Sequence, residues 1–148
     1  MQSAKSHGRM EAVVAVIRIG AVILGVYWLA IFVATHLPAP VLPTIGSDKL
    51  YHMAAFSGLS FLLSWSFSAK FRSAAQLVLT VVSVTLLYAM FDEWSQQFVA
   101  GRQPDVEDVV ADLAGTLIGL TAYFTARAIV RSLYGPSWRF ELRSERSE

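Results

Sequence analysis

Residues 74–97 read AAQLVLTVVSVTLLYAMFDEWSQQ. The first part of this stretch, through Phe91, has no charged residue and is the most apolar run in the chain. A helix needs roughly 20 mostly apolar residues to cross the hydrocarbon layer, so the run predicts a transmembrane helix over about 74–91. Asp92, Glu93 and Gln96 follow at its end. Three further runs flank it: about 12–35, 50–69 and 109–130. The first is broken only by Arg18, close enough to its start to snorkel toward the interface.

The connections fit helical spans. Pro38, Pro40 and Pro43 mark a loop, since proline cannot continue a helix and restricts its predecessor. Ser47 is suited to N-cap the second helix, with Asp48 in the first turn. Lys70 to Ser73 form a very short turn, and Gly101 and Pro104 break the stretch between Asp92 and Asp108. Residues 134–148 alternate in charge and have no run long enough to span. The first segment has a basic start like a signal peptide, but its apolar run is longer than usual and no A-x-A site is evident, so it is expected to remain. No internal repeat is visible. The expected architecture is all-α: one domain over residues 1–148, an integral membrane four-helix bundle.

Composition agrees. The chain is 55% hydrophobic and 16% charged, with a mean hydropathy of +0.50, whereas soluble domains carry about a quarter charged residues. A net charge of +1 without a basic stripe sets nucleic acid aside. The absence of cysteine excludes disulfides, thiolate metal sites and a cysteine nucleophile. Lys5, Arg9, Lys70, Arg72, Arg127, Arg131, Arg139, Arg143 and Arg146 fall on one side of a four-span chain, and only Lys49 and Arg102 on the other. By the positive-inside rule both termini are cytoplasmic and loops one and three face outward. Tyr51 and Trp94 at the outer ends, and Trp65 and Trp138 near the inner ones, suit interfacial anchors.

The outer face then collects polar groups. Asp48 and His52 lie four apart on one helical face, beside Lys49. Asp92, Glu93 and Gln96 share a face if the third helix continues. Arg102 follows, then Asp105, Asp108 and Asp112 at spacings of three and four. Asp112 lies one turn, roughly 6 Å, deeper than Asp108. Ionisable groups in a bilayer cost roughly 2.5–3.5 kcal/mol each and normally face the bundle interior. Blander readings stand beside the functional one. Asp105 and Glu107 suit the dipole at a helix start, Lys49 an interface anchor, His52 a hydrogen-bonded bundle histidine, and Arg102 a loop tie. The whole cluster can be an ion-pair network that holds helices together. Gly115 and Gly119 form GxxxG, which packs helices closely within a bundle or between copies, so oligomeric state stays open.

The blocks SDKLYH (47–52), FDEWSQQFVAGR (91–102) and DVVADLAGTLIG (108–119) resemble the VanZ-like family, whose pattern reads D-K-x-x-H, D-E-x-x-Q, an Arg, then D-x-x-x-N-x-x-G-x-x-x-G. The resemblance covers about Ser47 to the end of the fourth helix. It carries the family's polar positions onto Asp48, Lys49, His52, Asp92, Glu93, Gln96, Arg102, Asp108, Asp112, Gly115 and Gly119. Asp112 stands where the family usually has Asn. The founding member is associated with low-level teicoplanin resistance. That implies a multi-pass protein of the bacterial cytoplasmic membrane working at or near the outer leaflet, with membrane lipids, a lipid-linked envelope precursor or a glycopeptide as partners.

Several chemistries suit these residues. Lys49, His52 and Arg102 can hold an anionic headgroup, with Asp48, Gln96, Asp108 and Asp112 completing a binding site. Asp92 or Glu93 can act as base with His52 as partner, giving hydrolysis or transfer on a phosphate-containing lipid. Binding without turnover fits as well, so whether the chain is an enzyme is open. No cofactor is evident. His52, Asp92, Glu93, Asp108 and Asp112 offer nitrogen and oxygen ligands to a divalent metal, without a compact ligand motif. A transport path has little support, because the first and third spans carry no internal charge beyond Arg18.

Overall fold

The computed structural model describes the backbone of residues 2–37 and 48–134, and side chains within 18–37 and 48–133. The proline loop over 38–47, the Ser47 cap and residues 135–148 lie outside the described residues, as do the side chains of Lys5, Arg9 and Tyr134. Four helices follow in order: α1 Gln2–Thr35, α2 Asp48–Phe67, α3 Ala74–Gln96 and α4 Val106–Tyr134, with no strand among the described residues.

The helices start and stop where backbone chemistry changes rather than where apolarity ends. Ser73 caps α3, its hydroxyl accepting from the Gln76 amide at 3.1 Å. The helix runs five residues beyond the apolar run, because nothing from Asp92 to Gln96 disfavours helix. The chain turns at Gly101, whose φ of 79° is cheap only for glycine, and the Arg102 amide closes the turn on the Val99 carbonyl at 3.1 Å. Asp105 then caps α4, accepting from the Glu107 amide at 2.8 Å.

The bundle is apolar outside. Ile19, Val22, Val26 and Leu29 of α1, Leu79, Leu87 and Met90 of α3, and Val110, Leu117 and Ile129 of α4 are exposed. Such a surface fits hydrocarbon rather than water. Among the described residues, three helices are long and apolar enough to cross a membrane: Arg18–Thr35 of α1, Ala74–Gln96 of α3 and Val106–Leu133 of α4. α2, 20 residues long, is diluted by serines and is the central helix, with Phe56, Leu59 and Leu63 in the core beside Leu77 and Val81 of α3. Two of its buried hydroxyls are satisfied locally or across the helix pair: Ser64 donates to the Ser60 carbonyl at 2.7 Å, and Ser60 to the Thr116 carbonyl at 3.1 Å, while Ser66 Oγ is buried without a hydrogen-bond partner. In an apolar medium such groups must find protein partners.

α2 packs most extensively on α4, and the two run in the same direction. A Cβ on Gly115 would overlap the Met53 carbonyl, and one on Gly119 the Ser57 carbonyl and Ser60 hydroxyl. Two glycines one turn apart thus bring two backbones together and set the register that aligns the polar starts of both helices.

Candidate functional site

Four elements meet at one end of the bundle: the end of α1, the start of α2, the end of α3 and the start of α4. His52, Asp92, Glu93, Gln96, Asp108 and Asp112 are all buried there, Asp92 completely. A merely solvated charged face would leave them exposed.

The α2–α4 half is built by register. His52 Nδ1 lies 3.1 Å from Asp112 Oδ1, and its Nε2 3.7 Å from Asp108 Oδ2. One turn earlier, Lys49 Nζ reaches Asp105 at 3.1 Å, Glu107 at 3.0 Å and Asp108 Oδ1 at 3.6 Å. Lys49 therefore ties α2 to the first turn of α4. The last of these distances is an ion pair but too long for a hydrogen bond, so Asp108 Oδ1 has no hydrogen-bond partner, and neither does Asp112 Oδ2.

In the α1–α3 half both acids are bonded through both oxygens. Asp92 accepts from Thr35 Oγ1 at 2.9 Å and from Gln96 Nε2 at 3.1 Å. The same Gln96 amide donates to Glu93 Oε1 at 3.1 Å, and Glu93 Oε2 accepts from the Asp105 amide at 2.9 Å, fixing the end of α3 to the start of α4. His36 bridges the Phe32 carbonyl at 2.8 Å and the Ser95 hydroxyl at 2.9 Å, with Nδ1 3.9 Å from Asp92. Thr35 and His36 were not singled out in the sequence. The signal was available: α1 was expected to end on the face where the acids gather.

Arg102 swings back from the Gly101 turn. Its Nε donates to the Leu37 carbonyl at 3.4 Å and its NH1 approaches Asp48 Oδ2 at 3.5 Å. Between α1 and α2 it helps line a cavity of about 70 Å³. Thr35, Asp48, Tyr51, His52 and Arg102 form its polar part, and Ile31, Ala34, Ala55 and Phe56 its apolar wall. Asp92 and Glu93 do not line it. Gln96, Asp108 and Asp112 stand behind His52 and the α3 end, and Gly115 and Gly119 lie on the α2-facing side of α4.

Outside the apolar layer, Asp105 is held below the usual carboxylate range, first by the Glu107 amide and then by the Lys49 ammonium. A depressed folded value means that its contribution is present above the unfolded pKa, near 3.9, and is lost as pH falls through the folded value. Asp105→Asn keeps the cap and removes the charge. The gap in thermal midpoint between wild type and this variant should be full at pH 6, shrink below about pH 4 and vanish at lower pH. A gap that does not change with pH would show that the charge contributes nothing.

Fold and site define a small all-helical membrane protein whose polar groups are gathered at one end around an amphipathic cleft. The chain belongs to the VanZ family: the VanZ/LLP1 family model matches residues 19–129. It is similar to the uncharacterized protein C11E3.10 of Schizosaccharomyces pombe, 30% identical over 99 residues, which is 66% of this chain and 60% of that relative. The chain thus spans about three fifths of that relative's length. No solved structure matches it.

Proposed function

We propose that the cleft between α1 and α2 binds the headgroup of a phosphate-bearing membrane lipid or lipid-linked envelope precursor. The observation that carries this reading is the composition of the cavity: Arg102, His52 and Thr35 at its polar part, and Ile31, Ala34 and Phe56 along the wall toward the bundle core. A ligand with an anionic head and an apolar tail matches both. Among the described residues Arg102 makes only long contacts, 3.4 and 3.5 Å, and a guanidinium binds phosphate oxygens in bidentate fashion. Lys49, engaged by three carboxylates, positions α2 and contributes charge from behind.

We place this site at the outer leaflet of a multi-pass protein of the bacterial cytoplasmic membrane. The opposite end supports that orientation: Arg72, Arg127 and Arg131 line a cavity of about 530 Å³ there, with no acidic residue among the described residues that line it, as the positive-inside rule expects of a cytoplasmic face. A second reading, hydrolysis or transfer at the bound phosphate, is favoured by His52 at the cavity wall with Asp112 behind it. An imidazole oriented by a carboxylate is a general-base arrangement. Antibiotic resistance would follow if the ligand is an envelope precursor or a glycopeptide itself.

The test is thermal unfolding of the full chain in detergent with a polyprenyl phosphate, phosphatidylglycerol, inorganic phosphate or teicoplanin. The polyprenyl phosphate is expected to raise the midpoint, by about 2.7 kcal/mol of stabilisation at a hundredfold excess over Kd, and Arg102→Ala to abolish the shift. Phosphate release with time would establish the second reading. A shift with teicoplanin alone, or an equal shift in Arg102→Ala, would overturn the headgroup assignment.

A further inference from the structure

We propose that Asp48, His52 and Asp108 form a binding site for one divalent transition-metal ion, with Asp112 as the residue that orients the histidine. One ligand atom from each of the three lies within 4.8 Å of the others. Asp48 and His52 are one turn apart on α2, and Asp108 comes from the parallel α4, so the register set by Gly115 and Gly119 also assembles this triad.

The histidine carries the inference. Its Nδ1 is 3.1 Å from Asp112 Oδ1. A carboxylate accepts only, so Nδ1 bears the proton and donates. Nε2 on the other edge of the ring faces Asp108 Oδ2 at 3.7 Å, too long for a hydrogen bond. An ion seated between the two would be held from both sides. Metal-bound histidines characteristically donate their other N–H to a carboxylate, which fixes tautomer and ring orientation, and Asp112 stands where that carboxylate belongs.

A further atom points the same way. Asp112 Oδ2 is buried without a hydrogen-bond partner in a residue only 1% exposed, whereas the unbonded Asp108 Oδ1 faces Lys49. A closed structural network would have paired the Asp112 oxygen. The third ligand, Asp48, is half exposed and lines the cavity with His52, which gives the ion an entry path and room for water to complete its coordination. Lys49 takes the far side of Asp108, and Arg102 only one oxygen of Asp48. One imidazole and two carboxylates, without thiolate, suit manganese or zinc better than the all-oxygen preference of magnesium or calcium.

The inference deepens the headgroup reading and rests on it for its role. Asp48, Asp92, Glu93, Asp105, Glu107, Asp108 and Asp112 confront only Lys49 and Arg102 at this end, and a divalent ion beside Arg102 offsets that excess for an anionic ligand. The binding itself is tested without lipid. Chelator-treated full-length protein in detergent is titrated with Mn²⁺, followed by loss of the free-ion paramagnetic resonance signal, and with Zn²⁺, followed by calorimetry. One ion per chain is expected. Asp48→Asn, at a partly exposed position that should not disturb folding, is expected to weaken binding at least tenfold, as are Asp108→Asn and Asp112→Asn. Thr121→Ala, exposed on the outer side of α4, is expected to bind as wild type does. Absence of saturable binding to folded wild type, or wild-type affinity in Asp48→Asn and Asp108→Asn, overturns the proposal. Polyprenyl phosphate binding without metal binding overturns it and leaves the headgroup reading intact. Metal binding without lipid binding supports it and removes the headgroup reading.

Discussion

Replacing His52 with alanine is expected to lower the unfolding free energy by about 3–5 kcal/mol, the cost of breaking a buried charged pair from one side. His52 is 4% exposed and Asp112 1%. The imidazole is the hydrogen-bond partner of Asp112 Oδ1, and Oδ2 already has none. Truncation leaves a buried carboxyl group with neither oxygen bonded to the protein. Asp112→Asn behaves differently: the amide oxygen still accepts from Nδ1, and no charge is left to desolvate. In the Asp112→Asn background, His52→Ala is expected to cost about 1–3 kcal/mol, the range for an unsatisfied neutral group. The difference between the two backgrounds is the coupling energy of the pair. Unfolding in detergent with chelator present isolates it from any bound ion. A loss under about 1 kcal/mol for His52→Ala in the wild-type background would show that Asp112 does not depend on the histidine.

All four helices were legible as apolar runs, and three of them, α1, α3 and α4, are long and apolar enough to cross a membrane; family membership agrees with the blocks read at Ser47–His52, Phe91–Arg102 and Asp108–Gly119. Helix ends were less legible for a physical reason. An apolar run ends with the last apolar residue, whereas α3 continues to Gln96 until Gly101 allows the chain to turn. That continuation places Asp92, Glu93 and Gln96 inside the bundle. Convergence of the acids on one end follows from the alternation of successive helices and needs no coordinates. Which acid meets which base does need them. Lys49 meets Asp105, Glu107 and Asp108, while His52 meets Asp112, because α2 and α4 share a register that spacing within each helix cannot reveal. Thr35 and His36 escaped notice because a threonine and a histidine at a helix end have many ordinary roles.

Site geometry also separates the polar residues into two kinds. Both oxygens of Asp92 and of Glu93 are bonded, to Thr35, Gln96 and the Asp105 amide. These two acids hold α1, α3 and α4 together. His52, Asp48 and Arg102 border the cavity instead, and the unpartnered carboxylate oxygens lie on Asp108 and Asp112 behind His52. A structural network and a ligand site therefore coexist in the cluster, divided roughly along the α1–α3 and α2–α4 halves. Substitutions in the first half should act mainly on folding, and those at Asp48 and Arg102 mainly on binding.

Gly115→Ala is expected to cost about 3 kcal/mol, the upper part of the range for overpacking. The added Cβ meets backbone atoms of Met53 on the facing helix. A side chain can rotate away from such a contact, but a helix backbone cannot, so α2 and α4 must separate or slide. Lys49 and His52 lie on the same stretch of α2 and reach Asp105, Asp108 and Asp112 on the same stretch of α4. The displacement therefore carries into the site, and Gly115→Ala is expected to weaken Mn²⁺ and polyprenyl phosphate binding although it touches neither. Gly25→Ala is the matched control. Nothing lies within 4 Å of a Cβ there, and in the middle of α1 alanine is the better helix former by up to about 1 kcal/mol, so the midpoint should hold or rise. Thermal unfolding of both variants, with ligand titrations on the folded material, separates a close helix contact from a general intolerance of glycine replacement. Equal midpoints for Gly115→Ala and Gly25→Ala would mean that the two helices do not approach at Met53, and that the register assembling His52, Asp108 and Asp112 has another origin.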